Sequence, residues 1–210
     1  MEKTAMVFEE NYNRYLEEIR QLDLAGRGGI LGLETEAAAV SIPWLGKTLR
    51  VTGEGIVDAA GNRPDYGTFV VVSNYLLRCP AAVASSSGWS HYRDFPTSGP
   101  LTVYFARDVE QALADNFNGR TEALRQASRH LGGYVPDIAV RCDLSFCFYA
   151  LPRVPVLLLF NDADEEFGAD CSLLFDNVAD QYLDAESLAI LGRCLVEALV
   201  QAAGNSISGA

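Results

Sequence analysis

The spacing of apolar positions changes several times along the chain, and each spacing predicts an element. Phe8, Tyr12, Tyr15, Ile19 and Leu22 recur every three or four residues, which predicts a helix over 5–22 with Thr4 able to cap it. AGRGGILGLE then follows a helix rather than a strand and lacks the lysine of a phosphate-binding loop. It predicts a helix stop and a loop. AAAVSIPW and KTLRVTG predict a strand pair joined near Pro43 to Gly46. TFVVVSNYLLRCP carries β-branched residues that suit a strand. Phe69, Val72, Leu76 and Cys79 nevertheless step at helical intervals and Pro80 closes the run, so a helix is predicted.

ASSSGWSHYRDFPTSGP predicts a polar loop with an extended centre. A period of two sets Trp89, His91 and Arg93 on one side and Tyr92 and Asp94 on the other. RDVEQALADNF and TEALRQASRHLGG predict two short helices. One is lined by Val109, Leu113 and Phe117, the other by Leu124, Ala127 and Leu131, with Gly132 and Gly133 as the stop. IAVRCDLSFCFYA and VPVLLLFND predict strands. The second is apolar throughout and belongs in the centre of a sheet. CSLLF suits a further strand. LDAESLAILGRCLVEALVQ is a helix with Leu188, Leu191, Leu195 and Leu199 on one face, capped by Asp184 and favoured by Glu186 near its positive end. No repeat, linker or low-complexity block breaks the chain. The expectation is one α+β domain over residues 1–210, a mostly antiparallel sheet flanked by several helices.

Composition narrows the function classes. A chain of 210 residues buries roughly 70% of its unfolded surface and needs no covalent staple. The net charge of −12 disfavours nucleic acid and anionic membrane surfaces, which call for clustered Lys and Arg. The charge is uneven: after Arg153 ten acidic residues face one basic residue, Arg193, so 154–210 carry −9. This is either a solvated acidic surface or a face for a cation or basic partner. The five cysteines, Cys79, Cys142, Cys147, Cys171 and Cys194, form no CxxC pair. Their odd number and the lack of an N-terminal signal pattern predict a reducing cytoplasm, and no intrinsic iron–sulfur cluster is expected. No apolar run reaches the roughly 20 residues of a membrane span.

Candidate chemistry is sparse. Phe160 to Asp176 holds six carboxylates without a Lys or Arg. A calcium loop starting at Asp162 would need glycine at position six and glutamate at position twelve, where Phe167 and Leu173 stand. Asp162, Asp164, Glu166 and Asp176 are the residues that could still hold a hard cation such as magnesium. The plainer reading is an acidic turn between two buried segments. Trp89, His91 and Arg93 could bind an anionic or planar ligand, with His91 able to act as a base; the alternative is an edge strand with a half-buried Trp. His130 sits where a cation suits a helix end. Ser85 to Ser87 lack a GxSxG setting, so no catalytic constellation is recognised.

Several stretches together resemble a prokaryotic family, domain of unknown function 3786. They are NYLL (74–77), WSHYRDFP (89–96), LGG (131–133), PVLLLFNDADEEF (155–167), SLLFD (172–176) and YLDAESLAILG (182–192). Position 91 is one where the family pattern leads us to expect an aromatic more often than a histidine. The resemblance implies a setting in anaerobic bacteria and archaea. It also implies an association with iron–sulfur modules of corrinoid proteins in one-carbon metabolism, and it carries over no catalytic residue and no cofactor. Two functions are therefore expected. The first is a non-catalytic module that binds a ligand or a corrinoid or iron–sulfur partner. The alternative is a metal-dependent enzyme that uses the acidic loop 162–176 with His91 or Arg93 nearby.

Overall fold

The computed structural model describes the backbone of residues 2–36 and 39–207, with side chains described for 8–36 and 39–204. Helix α1 (Glu2–Arg20) buries Tyr12, Leu16 and Ile19. Its Tyr12 ring stacks 4.2 Å from Phe69 of α3 (Tyr66–Leu77). The Thr4 cap lies outside the described side chains. At the head of α3, Asp65 accepts the Thr68 N–H (2.9 Å) and hydroxyl (2.7 Å), fixing where the apolar run turns helical. The helix predicted for 68–80 is thus present.

The glycine-rich stretch is not a loop. Leu24–Leu31 forms helix α2, capped by Asp23, whose Oδ1 accepts the Gly26 N–H at 2.9 Å, and ended by Gly32 in the left-handed region (φ 71°). Glycine is needed inside it for packing: a Cβ on Gly28 would collide with Thr35 of strand β1 (Glu34–Glu36). Close approach to a strand outweighs the poor helix propensity of glycine here.

Two antiparallel sheets follow. In the first, β1, β2 (Ala39–Trp44), β3 (Lys47–Thr52) and β4 (Gly55–Val57) pair in chain order. The predicted strand pair is this β2–β3 hairpin; Ala37 and Ala38 lie outside the described residues. Its two-residue turn puts both Leu45 (φ 43°) and Gly46 (φ 77°) in the left-handed region. The turn presses on the end of α6 (Thr121–His130), where a Cβ on Gly46 would stand 2.9 Å from Leu131 Cα.

The second sheet has the order β5-β8-β7-β6, from β5 (Trp89–His91), β6 (Leu144–Leu151), β7 (Val154–Asn161) and β8 (Asp170–Asp176). The apolar strand β7 is interior, as predicted. Strand β6 starts at Leu144 rather than Ile138, because residues 139–143 bury little and find no strand partner. Tyr134 instead bridges to Cys147, donating and accepting one backbone hydrogen bond each (3.0 and 2.8 Å). The helix predicted from Arg107 begins earlier, as α4 (Thr102–Phe105), passes through a π-helical turn (Ala106–Gln111) and continues as α5 (Ala112–Phe117). Val109, Leu113 and Phe117 are fully buried along it.

Helix α7 (Ala185–Ile207) runs through the middle, with Leu188, Leu191, Leu195 and Leu199 buried and Asp184 accepting the Ser187 N–H at 2.8 Å. By length and composition its Ala185–Gly204 segment could cross a membrane, but it is mostly buried as a core helix. One hydrophobic cluster joins both sheets and the helices. At its centre the Tyr75 hydroxyl donates to Leu31 O (2.6 Å) and accepts from Arg153 N (3.1 Å), tying α3 to α2 and to the β6–β7 turn. The fold is α+β with antiparallel sheets. The sequence predicted one sheet; the strands divide into two.

The turn contact predicts opposite effects at two glycines. Gly46→Ala should lower stability by about 2 kcal/mol, through its left-handed backbone and the Leu131 contact. Gly29→Ala, helical and with open space at its Cβ, should raise it by about 0.5–1 kcal/mol. Urea unfolding of both variants checks the pair.

Candidate functional site

Cross-strand register decides which residues of the second sheet share a face. Leu144, Phe146, Phe148, Val156, Leu158, Phe160, Leu173 and Phe175 point inward, and all are buried. The opposite face forms transverse rows. Cys147, Leu157, Leu174 and His91 make one. Tyr149, Pro155, Asp176 and Trp89 make the next, and Ser145, Leu159 and Ser172 a third. Trp89 and Tyr149 are 37% and 56% exposed, and the Tyr149 ring stacks on Tyr134 at 5.9 Å. Leu159, Leu174, Pro155 and His91 are half-buried.

Trp89 and His91 therefore meet on this outer face, as their spacing predicts. Arg93 does not join them on that face. The chain leaves the strand after His91 and enters a 3₁₀ turn over Tyr92–Asp94, which breaks the two-residue period. The turn is fixed by Tyr92, a buried ring stacked 4.3 Å from Phe105, whose hydroxyl donates to Ala185 O at 2.9 Å. Arg93 is exposed, with Nε 4.0 Å from Asp94 Oδ1.

That departure leaves the Leu173 N–H without a strand partner on the β5 side, and a residue missed in the sequence supplies one. Glu110, on the π-helical turn, accepts the Leu173 N–H through Oε1 at 3.1 Å. Burial pushes its carboxyl above the ordinary carboxylate range, opposed by the Leu173 hydrogen bond and the charges of His91 and Arg93. A cavity of 60 Å³ lies between Glu110, His91, Arg93 and Phe105, room for about two waters. The only sequence signal for Glu110 was a carboxylate beside the buried Val109. Its inward turn comes from the π-helical geometry, which periodicity does not foresee.

The acidic stretch beyond β7 is built from hydrogen-bonded carboxylates. Asp162 accepts from Gly119 N and Thr121 Oγ1, both at 2.7 Å, and from Ala163 N at 2.9 Å; these bonds hold its pKa below the ordinary value. It pins the loop to the start of α6. Asp164 accepts from Phe167 N (2.7 Å) and Glu166 N (2.8 Å) in a tight turn, which lowers its pKa as well. Glu165 and Glu166 are exposed, and Phe167 is 71% exposed. Asp176 stands at the far end of β8, roughly 20 Å of strand from Asp170, buried beside Trp89 and accepting Val178 N at 3.1 Å. The structure thus brings Asp162, Asp164 and Glu166 into one loop and places Asp176 elsewhere. Among the described residues, no three His, Cys, Asp or Glu side chains gather as a metal site.

Residues 23–198, which hold both sheets and nearly all the helices described above, match a family of known sequences. The chain belongs to the family described as Domain of unknown function (DUF3786). No curated protein and no solved structure matches it. The DUF3786 span takes in Trp89, His91, Arg93, Glu110 and the whole acidic loop.

The Glu110 environment predicts a pH dependence. Its raised folded-state pKa means that folding favours the protonated acid. The stabilisation is complete below the ordinary glutamate range and is lost as pH rises through the raised value. Glu110→Gln keeps an acceptor for Leu173 N and removes the ionisation. It should melt higher than wild type at pH 7, with the gap closing below about pH 4. Melting curves across that range check it.

Proposed function

We propose that the chain is a non-catalytic binding module of anaerobic metabolism that docks a corrinoid or iron–sulfur protein through the outer face of its second sheet. The observation that carries this reading is the apolar make-up of that face. An antiparallel sheet covered on one side ordinarily turns polar side chains to the other. Here the outer rows present Trp89, Tyr149, Pro155, Leu159 and Leu174, exposed or half-buried, with Tyr134 stacked at the margin. Aromatic and aliphatic groups at the centre with charge at the rim make the composition of a protein interface.

The rim supports a partner of particular charge. Beyond the Leu159–Ser172 row lie Asp143, Asp164, Glu165, Glu166 and Asp170, all exposed, with Phe167 among them. An acidic border favours a partner that carries Lys and Arg around an apolar patch. A second copy has the wrong sign, since each chain carries −12. The cofactor class of the partner rests on the family resemblance. The matching location is the cytoplasm, where the five free thiols stay reduced.

Capture from an oxygen-free lysate of an anaerobe, followed by cobalt and iron analysis of the eluate, tests the reading. Wild-type protein should retain a cobalt- or iron-bearing protein that about 0.5 M salt weakens. The Trp89→Ser, Tyr149→Asp double variant should lose it. Equal retention by the variant removes the face from the proposal, and a captured partner without either metal removes the partner class.

A further inference from the structure

A separate groove of 260 Å³ opens where α1, α3 and the head of α7 meet. It shares no lining residue with the outer sheet face. We infer that this groove binds a free α-amino acid with an aliphatic side chain.

Its floor is polar where helix junctions ordinarily close on apolar side chains. Asn74 of α3 donates through Nδ2 to Ser187 Oγ on α7 at 2.9 Å and, over a longer 3.4 Å, to Tyr15 Oη on α1. Asn11 Nδ2 donates to Tyr66 Oη at 3.1 Å. Each of the three hydroxyls thus accepts an amide proton. Among the described residues none of them has an acceptor for its own hydrogen, and both amides keep a free carbonyl oxygen. Such a floor meets a ligand that brings donors and acceptors together and does not select one sign of charge.

Charge is arranged by wall. The α1 wall supplies Arg14 and the α7 wall supplies Asp184 and Glu186. One cation against two carboxylates leaves the lining at −1, so a simple anion is not favoured. Arg14 and Glu186 are exposed, and among the described residues neither makes an ion pair with the other or with any third side chain. Opposite charges therefore stand apart on opposite walls. A zwitterion matches that separation. Its ammonium group goes to the α7 wall, where Glu186 and the Asp184 oxygen not used by Ser187 N accept. Its carboxylate goes to the forked N–H groups of Arg14.

The body of the ligand follows from the remaining lining. Val70 on the floor and Ile190 on the α7 wall are aliphatic. Both aromatic rings already have a partner: Phe8 stacks on Tyr66 at 4.3 Å, and the Arg14 guanidinium carbon lies 5.3 Å from the Tyr15 ring centroid. This favours an aliphatic side chain over a further ring. At about 30 Å³ per water-sized group the volume holds roughly nine non-hydrogen atoms, the size of leucine.

L-leucine is the probe, titrated calorimetrically against the full chain. It should give saturable heat with a dissociation constant on the order of 1 mM or tighter. 4-Methylpentanoate, which lacks the ammonium group, and isoamylamine, which lacks the carboxylate, should each bind at least about tenfold more weakly. Arg14→Met should bring leucine down to the affinity of isoamylamine. Glu186→Gln should narrow the gap between leucine and 4-methylpentanoate. Both substitutions are at exposed side chains, and melting temperature verifies that each variant is folded; the two analogues test the wild-type chain independently of either. No saturation up to about 20 mM leucine, a singly charged analogue that binds as tightly as leucine, or unchanged selectivity in either variant each overturns the inference.

Discussion

The structure turns on a strand that is apolar on both faces. From Val154 to Phe160, β7 alternates between residues that are fully buried inward and residues on the other side, of which Pro155 and Leu159 are half-buried and Leu157 between them is covered. Burying an aliphatic side chain contributes about 1.5–3 kcal/mol, so the inward set fixes the sheet against α4 to α7. Phe105 and Phe95 reach Phe175 of the neighbouring strand, with ring centroids 5.9 and 6.1 Å apart. The outward set has the same chemistry but lies on the side where Trp89, Tyr149 and Tyr134 remain open. A single hydrophobic run thus produces both the core and the surface proposed to bind.

A second constraint is the fate of backbone donors wherever regular pairing stops. Around the second sheet three such stops are met by a carboxylate. Glu110 takes the Leu173 N–H where β5 ends, Asp162 takes Gly119 N before α6, and Asp164 closes the turn after β7. This explains how six carboxylates between Phe160 and Asp176 coexist without a basic residue among them. Hydrogen bonds to N–H groups favour the charged form, as the lowered values at Asp162 and Asp164 show. Asp176 is removed from the others by the length of β8. Charge density in sequence is not charge density in space.

The two halves of the molecule share one hydrophobic cluster and are tied by specific polar contacts within it. Tyr75 joins α2, α3 and the β6–β7 turn through one buried hydroxyl, and burial raises that hydroxyl far above its ordinary pKa. Arg153 reinforces the joint by donating to Ile30 O at 3.1 Å. The β2–β3 turn rests on Leu131, so the first sheet is placed by the helices of the second.

The sequence by itself determined the elements and their buried sides. Spacings of three and four gave α1, α3, α6 and α7 with their buried leucines, and the unbroken apolar run of β7 placed it inside a sheet. Asp184 was legible as a cap because a helix start needs a local acceptor. Of the site, the shared side of Trp89 and His91 could be read, since strand alternation is local. Arg93 and Glu110 could not. One depends on Tyr92 finding Phe105 and Ala185, the other on a π-helical turn meeting an unpaired N–H across the fold. The glycine-rich α2 was misread because close packing on Thr35, invisible in the sequence, outweighs helix propensity. Only the tertiary structure divided the strands into two sheets. Periodicity records which side of an element is apolar, whereas partners are chosen by contacts between residues far apart in the chain.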